Sequence, residues 1–218
     1  VPDIRYGYGI IDVKAAADQV ALDSGVTGTV SDSAGVPVEG ATVEVEESGF
    51  SAETGADGEY TVLSPPGNYT VTASGFGYEE TSGNVSIPDN ETFVEQNITL
   101  ADALGVEPVA GQPEAIEGGQ QFEVQVNVAN LETYSVKRNG TYEGDLTFEL
   151  NGDEIPEGED VSLGGISGTA TLTVTTEQNT EGDLALDHTF SGEGDTVSVT
   201  TGPTEIFAEY TSIAVVDE

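Results

Sequence analysis

The stretch GTVSDSAGVPVEGATVEVEESGFSAETGADGEYTVLSPPGNYTVTASGFGY, residues 28–78, decides the fold. Apolar residues recur at every second position in Ala41, Val43 and Val45, again in Tyr60 and Val62, and again in Tyr69, Val71 and Ala73. Side chains two apart along a strand share a face, so each run is a strand with one side toward a core. Ala34-Gly35, Asp57-Gly58 and Pro65-Pro66-Gly67-Asn68 separate the runs. Glycine supplies positive φ and proline presets φ for a turn, which makes the strands short and antiparallel. The stretch holds no Cys, His, Lys or Arg, so it specifies a fold and offers no chemistry.

Working outward, 218 residues suit two domains of this kind. The balance of 41 acidic against 4 basic side chains, a formal charge of -37, repels nucleic acid phosphates and anionic membranes and excludes both as partners. Strand alternation persists along nearly the whole chain, so the acid belongs to a folded surface, where hydrated cations gather. Molar salt shortens the screening length from about 10 Å at 0.1 M to about 3 Å. The chain is therefore expected to need molar salt and to come from a halophile. Without Cys there is no disulfide, thiolate chemistry or Cys-based zinc site. No apolar run is long enough for a membrane helix, and no signal peptide opens the sequence. The chain starts with Val1 and has no Met; the expectation is that a start codon and targeting segment lie upstream.

Residues 1–25 differ from the rest. Val13, Ala16, Ala17 and Val20 fall on one helical face, with Asp12 placed as N-cap and Ser24-Gly25 as the stop. A short Ala-rich helix cannot bury that face alone, so its partner is expected upstream. The lead-in Arg5-Tyr6-Gly7-Tyr8-Gly9-Ile10-Ile11-Asp12-Val13-Lys14-Ala15-Ala16 resembles the C-terminal end of the subtilisin-like serine protease domain, where a Tyr-Gly-x-Gly turn enters the last helix. The same pattern is compatible with a plain capped helix. The resemblance implies that the family's Gly-Thr-Ser nucleophile motif, its Asp and its His precede Val1, so no catalytic residue is assigned within residues 1–218.

Residues 26–100 form the next domain. Gly28-Thr-Val30-Ser-Asp32, Gly35-Val-Pro37-Val38-x-Gly40-Ala41-x-Val43, Thr54-Gly-Ala-Asp57-Gly58-x-Tyr60 and Pro66-Gly67-x-Tyr69-x-Val71 occur in this order. Together they resemble the carboxypeptidase regulatory-like domain. The resemblance implies a prealbumin-type seven-stranded sandwich and an appended module of a secreted enzyme or surface protein. Related sandwiches that close a Lys-Asn bond need a strand Lys, and residues 15–136 contain none.

After a joint at Ala101-Asp102-Ala103, residues 104–218 read as a second, acidic, immunoglobulin-like sandwich of Greek-key type. Its strands are marked by Phe122 to Val128, Leu146 to Leu150, Ala170 to Val174, Leu184 to Phe190, Val197 to Val199 and a closing run from Glu205 to Val216. Asn151-Gly152 and Gly192-Glu193-Gly194-Asp195 are turns. Apolar parity slips between Ala208-Tyr210 and Ile213-Val215, which reads as a β-bulge. The chain is thus expected to be mainly β, two tandem antiparallel β-sandwiches preceded by one short α-helix.

Candidate sites are few. His188 is the single imidazole, and its parity with Leu184, Leu186 and Phe190 points it into the core. Gly165-Ile166-Ser167-Gly168-Thr169 lacks the last glycine of a nucleophile elbow. Asp153, Glu154, Glu157, Glu159 and Asp160 offer oxygen ligands for Ca²⁺ but do not follow the twelve-residue Ca²⁺ loop, so a solvated acidic loop stands against a divalent-ion site there. No other cofactor is expected. Lys137-Arg138 is the basic pair of this domain, suited to local ion pairs or to a contact with another domain's acids. Of nine Asn residues, five head Asn-x-Ser/Thr glycosylation triplets: Asn68, Asn84, Asn90, Asn97 and Asn139. Asn84 and Asn97 lie out of parity with Val85, Ile87 and Ile98 and should face solvent.

These readings converge on an extracellular or cell-surface chain without its own catalytic machinery. It is expected to be the C-terminal extension of a halophilic subtilisin-like serine endopeptidase, partnered by an upstream catalytic domain and by protein substrate or a cell surface. The alternative is a β-sandwich surface or adhesin-type protein unconnected with a protease.

Overall fold

The computed structural model describes residues 23–208. The expected helix within residues 1–25, and the parity slip expected in the closing run past Ala208, lie outside the described residues. Everything described is strand, turn or loop, and no helix occurs among the described residues. Two compact units are present: residues 23–75 with Glu80–Ala101, and Phe76–Glu79 with residues from 102 onward.

The first unit has β1 (Gly25–Asp32), β2 (Thr42–Val45), β3 (Phe50–Glu53), β4 (Glu59–Leu63), β5 (Gly67–Ser74), β6 (Thr81–Ile87), β7 (Phe93–Glu95) and β8 (Ile98–Leu100). One sheet runs β3-β2-β5-β6, antiparallel throughout. The other centres on β1, with β4 antiparallel on one side and β7 and β8 on the other. β7 and β8 both pair with β1 in parallel, so the expectation of a purely antiparallel sandwich is corrected here. They behave as one edge strand interrupted at Gln96-Asn97. Alternation is the reason for the fold: Val43, Val45, Val71, Ala73, Val85 and Ile87 from one sheet are buried, as are Val26, Val30, Tyr60, Val62, Ile98 and Leu100 from the other.

Two glycines have identifiable work. A Cβ on Gly28 would lie 2.1 Å from the Gln96 carbonyl oxygen, so only glycine lets the broken edge strand approach β1. Gly58 has φ +74 in its turn, and a Cβ there would meet the Val30 carbonyl at 2.4 Å. Gly67, expected in a turn, instead opens β5 and is not among the positive-φ glycines. The Pro65-Pro66 pair carries that turn.

The second unit has β9 (Gly105–Ala110), β10 (Ala115–Glu117), β11 (Gln121–Gly140), β12 (Leu146–Leu150), β13 (Asp153–Ile155), β14 (Val161–Thr176), β15 (Gly182–Gly192) and β16 (Asp195–Phe207). They form one sheet, ordered β10-β16-β15-β11-β14-β12-β13, with β9 also on β11. The strands expected of an immunoglobulin-like sandwich are thus joined in one continuous hydrogen-bonded ladder. The cause is β11, 20 residues long. Its first part pairs with β14 and its last part, Thr133 to Gly140, pairs with β15. Between them the register shifts around Leu131, and Asn130 has φ 56, so a bulge re-aims the strand. Burial parity changes there too, from Phe122, Val124, Val126 and Val128 to Leu131. Both halves of β11 contribute to one core with β12, β14, β15 and Ile206 of β16. β10 pairs with β16 in parallel, a further departure from the all-antiparallel expectation.

Candidate functional site

His188 lies on β15, opposite Val136 of β11 and Val199 of β16. The alternation that buries Leu184, Leu186 and Phe190 buries it as well, to 2% exposure. Its Nδ1 is 2.8 Å from the Tyr134 hydroxyl and its Nε2 is 2.9 Å from the Thr201 hydroxyl. The ring lies nearly parallel to Phe190, 11° between planes with centroids 6.2 Å apart. Loss of water disfavours the imidazolium and lowers the His188 pKa to about 4. Burial likewise pushes the Tyr134 phenol upward, so both groups stay neutral. Both ring nitrogens are thus engaged by neighbouring hydroxyls, and the ring is closed off from solvent.

Arg138 and Glu157 form an ion pair. Arg138 Nε donates to Glu157 Oε1 and Oε2 at 2.9 and 3.0 Å, and Nη2 donates to Oε2 at 2.7 Å. The Arg138 backbone N–H adds a bond to Oε1 at 3.0 Å, and Nη1 reaches the Gly144 carbonyl at 2.7 Å. The side-chain bonds from Arg138 hold the Glu157 carboxyl below its ordinary pKa and raise that of the guanidinium in turn. Glu157, one of the five candidate Ca²⁺ ligands, is therefore already engaged by a guanidinium. Asp153 and Glu154 sit on β13, facing Leu150 and Glu149, while Glu159 and Asp160 are exposed in the loop beyond. Among the described residues no three acidic or imidazole side chains are gathered as a metal would require. The expected acidic loop is thus partly a strand, because Asn151 (φ 53) and Gly152 (φ 90) make a tight hairpin that returns Ile155 to the core.

Lys137 is exposed and opposite Asp187 in register. Asp187 accepts from the Thr200 hydroxyl at 2.7 Å and also from Asn139, and these bonds hold its carboxyl below the usual range. Ser167, from the incomplete elbow sequence, accepts the Asn130 backbone N–H at 3.0 Å. His188 is too deeply enclosed by its own partners to serve it.

The five glycosylation Asn residues are all exposed. Asn97 sits in the interruption between β7 and β8, where its Oδ1 accepts from the backbone N–H and hydroxyl of Thr29 at 2.9 and 3.0 Å and its Nδ2 donates to Glu95 at 2.8 Å. The neighbouring Gln96 carbonyl accepts from the Tyr60 hydroxyl at 2.6 Å, and burial pushes that phenol up to about 12.

A concavity of about 520 Å³ in the second unit escaped the sequence reading. Phe76, 46% exposed, forms one wall, with Glu107, Asn127, Asn130 and Ser167 around it. Asn130 Nδ2 donates to the carbonyls of Gly77 (3.0 Å) and Ala103 (2.8 Å), while Asn127 bonds Glu107 and Thr169. The groove offers an aromatic face and side-chain amides already engaged by backbone carbonyls, a carboxylate and a hydroxyl. Its one signal in the sequence is the way Ala129-Asn130 breaks the alternating run between Val128 and Leu131.

Comparison with known proteins bears on what kind of module this is. The family model of the carboxypeptidase regulatory-like domain matches residues 25–101. Residues 25–101 are a carboxypeptidase regulatory-like domain. This regulatory-like domain coincides with the sandwich of β1 to β8. Carboxypeptidase Z of Gallus gallus is 41% identical over 64 residues, a match that takes in 29% of this chain and 10% of that protein. Among solved structures, a putative carbohydrate binding protein from Bacteroides uniformis is 9% identical, with 82% of this chain and 99% of that chain covered at a TM-score of 0.33. A lipoprotein from Bacteroides thetaiotaomicron is 12% identical, with 53% and 89% covered at 0.34. These structural likenesses carry no functional argument.

Proposed function

We propose that the chain is a non-catalytic extension of an extracellular, halophilic, subtilisin-like serine endopeptidase, in which the two β units dock protein substrate or a surface and stabilise the enzyme in salt. The observation that carries this reading is the regulatory-like domain at residues 25–101, set directly after the Tyr6 to Ala17 segment that resembles the end of a subtilisin-like catalytic domain. The formal charge of -37 supports the halophilic part, since such a surface is soluble and compact where salt screens it. The enclosure of His188 between Tyr134, Phe190 and Thr201 supports the non-catalytic part.

The experiment is a comparison of the full enzyme with one truncated after Gly25, in molar NaCl. Hydrolysis of insoluble protein or thermal half-life is expected to fall on truncation, and survival of both would remove the proposed role. The coding sequence upstream of Val1 tests the protease link separately. A Gly-Thr-Ser motif there supports it, and an upstream region encoding no catalytic domain leaves a β-sandwich surface protein.

A further inference from the structure

We propose that β6, its partner β5 and the loop after β6 carry N-linked glycans on Asn68, Asn84 and Asn90, an inference that rests on the extracellular reading above. Each of the three heads an Asn-x-Ser/Thr triplet and is exposed. The structure separates them from the other two acceptors. Among the described residues, the side-chain amides of Asn68, Asn84 and Asn90 have no hydrogen-bond partner, whereas Asn97 is tied to Thr29 and Glu95 and Asn139 to Asp187.

The register adds a second observation. Asn68 of β5 stands opposite Ser86 of β6, and Asn84 of β6 stands opposite Thr70 of β5. The two triplets therefore lie side by side in opposite directions, each Asn against the hydroxyl residue of the other. Both open onto a shallow depression of about 340 Å³ on the outer face of the sheet. Strand alternation turns the middle residues away from it, and Val85 is buried. A sugar on either Asn projects from a face the core does not use. Asn90 lies between β6 and β7, where the Thr92 hydroxyl of its own triplet bonds Asp89.

The chemistry requires an oligosaccharide carried on an isoprenoid-lipid phosphate and a transferase. The Asn Nδ2 attacks the anomeric carbon of the first sugar, and the new Nδ2–C1 bond forms as the C1–O bond to phosphate breaks. The lipid phosphate leaves with that electron pair, one amide proton passes to the transferase base, and Nδ2 keeps the other. A sugar on Asn68 or Asn84 leaves the β5–β6 ladder intact, because both side chains are exposed, whereas one on Asn97 or Asn139 has to displace the bonds to Thr29, Glu95 or Asp187. Asn90 stays reachable in the folded unit.

The test is intact mass and glycopeptide mapping of the protein from its native host, recovered separately from culture medium, cell surface and cell interior. Added mass on the peptides of Asn68, Asn84 and Asn90, absent from those of Asn97 and Asn139, is expected. Loss of one glycan for each of Asn68→Gln, Asn84→Gln and Asn90→Gln, with the sheet circular dichroism unchanged, would confirm the positions. Extracellular protein with all three peptides unmodified overturns the glycans and leaves the extracellular reading standing. Glycans confined to Asn97 and Asn139 overturn the selection by free amides, and protein found only inside the cell overturns both readings.

Discussion

Acidification is expected to destabilise the second unit through His188. The folded unit keeps this imidazole neutral, with its pKa lowered from 6.5 to about 4. The unfolded chain titrates at the ordinary value. The stabilising difference is therefore complete above pH 6.5 and is lost as pH falls from 6.5 toward 4, because the unfolded state takes up a proton that the folded state refuses. Fully developed, it amounts to about 3 kcal/mol, with a local slope of up to about 1.4 kcal/mol per pH unit. Protonation of surface carboxylates acts with the opposite sign where it relieves repulsion, so the raw pH profile mixes the two. His188→Gln separates them: it lowers stability at neutral pH but removes this slope. Urea unfolding of wild type and variant in molar NaCl, from neutral pH to about pH 4.5, should give profiles that converge on acidification. With a single His in the chain, the imidazole Hε1 resonance gives the folded pKa directly. A folded titration midpoint at or above 6.5, or parallel urea profiles for the two proteins, would refute the reasoning.

Three further outcomes are expected. Gly28→Ala places a Cβ 2.1 Å from the Gln96 carbonyl oxygen and should cost the first unit about 1–3 kcal/mol in urea unfolding; an unchanged midpoint counts against the close approach of the edge strand. Arg138→Ala and Glu157→Ala should each destabilise the second unit, and a double-mutant cycle should give a coupling of about 1 kcal/mol, modest because the pair is 31% and 28% exposed. Zero coupling would leave the fork energetically idle. Circular dichroism across a NaCl series should show the sheet signal developing toward molar salt, and a full signal in dilute buffer would sink the idea that screening of a charge of -37 is required for folding.

The candidate sites were legible in uneven ways. The inward aim of His188 could be read from Leu184, Leu186 and Phe190, since a strand's period of two is local. Its partners Tyr134 and Thr201 could not, because they lie 54 and 13 residues away on other strands. The acidic stretch after Asn151 looked like one loop. Its composition said nothing of the hairpin that buries Ile155 or of the guanidinium that occupies Glu157. The interruption at Gln96-Asn97 was likewise invisible as a structural device, and only the bonds from Asn97 to Thr29 show why its amide differs from those of Asn68 and Asn84.

By itself the sequence determined the strand-rich class, the turns at Asp57-Gly58 and Asn151-Gly152, the faces of most strands and the acidity of the surface. These follow from the two-residue side-chain period, from backbone φ preferences and from charge count, all of which act over a few residues or none. The tertiary structure alone decided that β7 and β8 run parallel to β1, that β11 bends at Asn130 to serve two neighbours in one sheet, that Arg138 claims Glu157, and which Asn amides remain free. Periodicity fixes which face of a strand is apolar but not which strand lies beside it. That choice is made by contacts between residues far apart in the chain, where hydrogen-bond ladders, close approaches at glycine and paired charges must all be satisfied together.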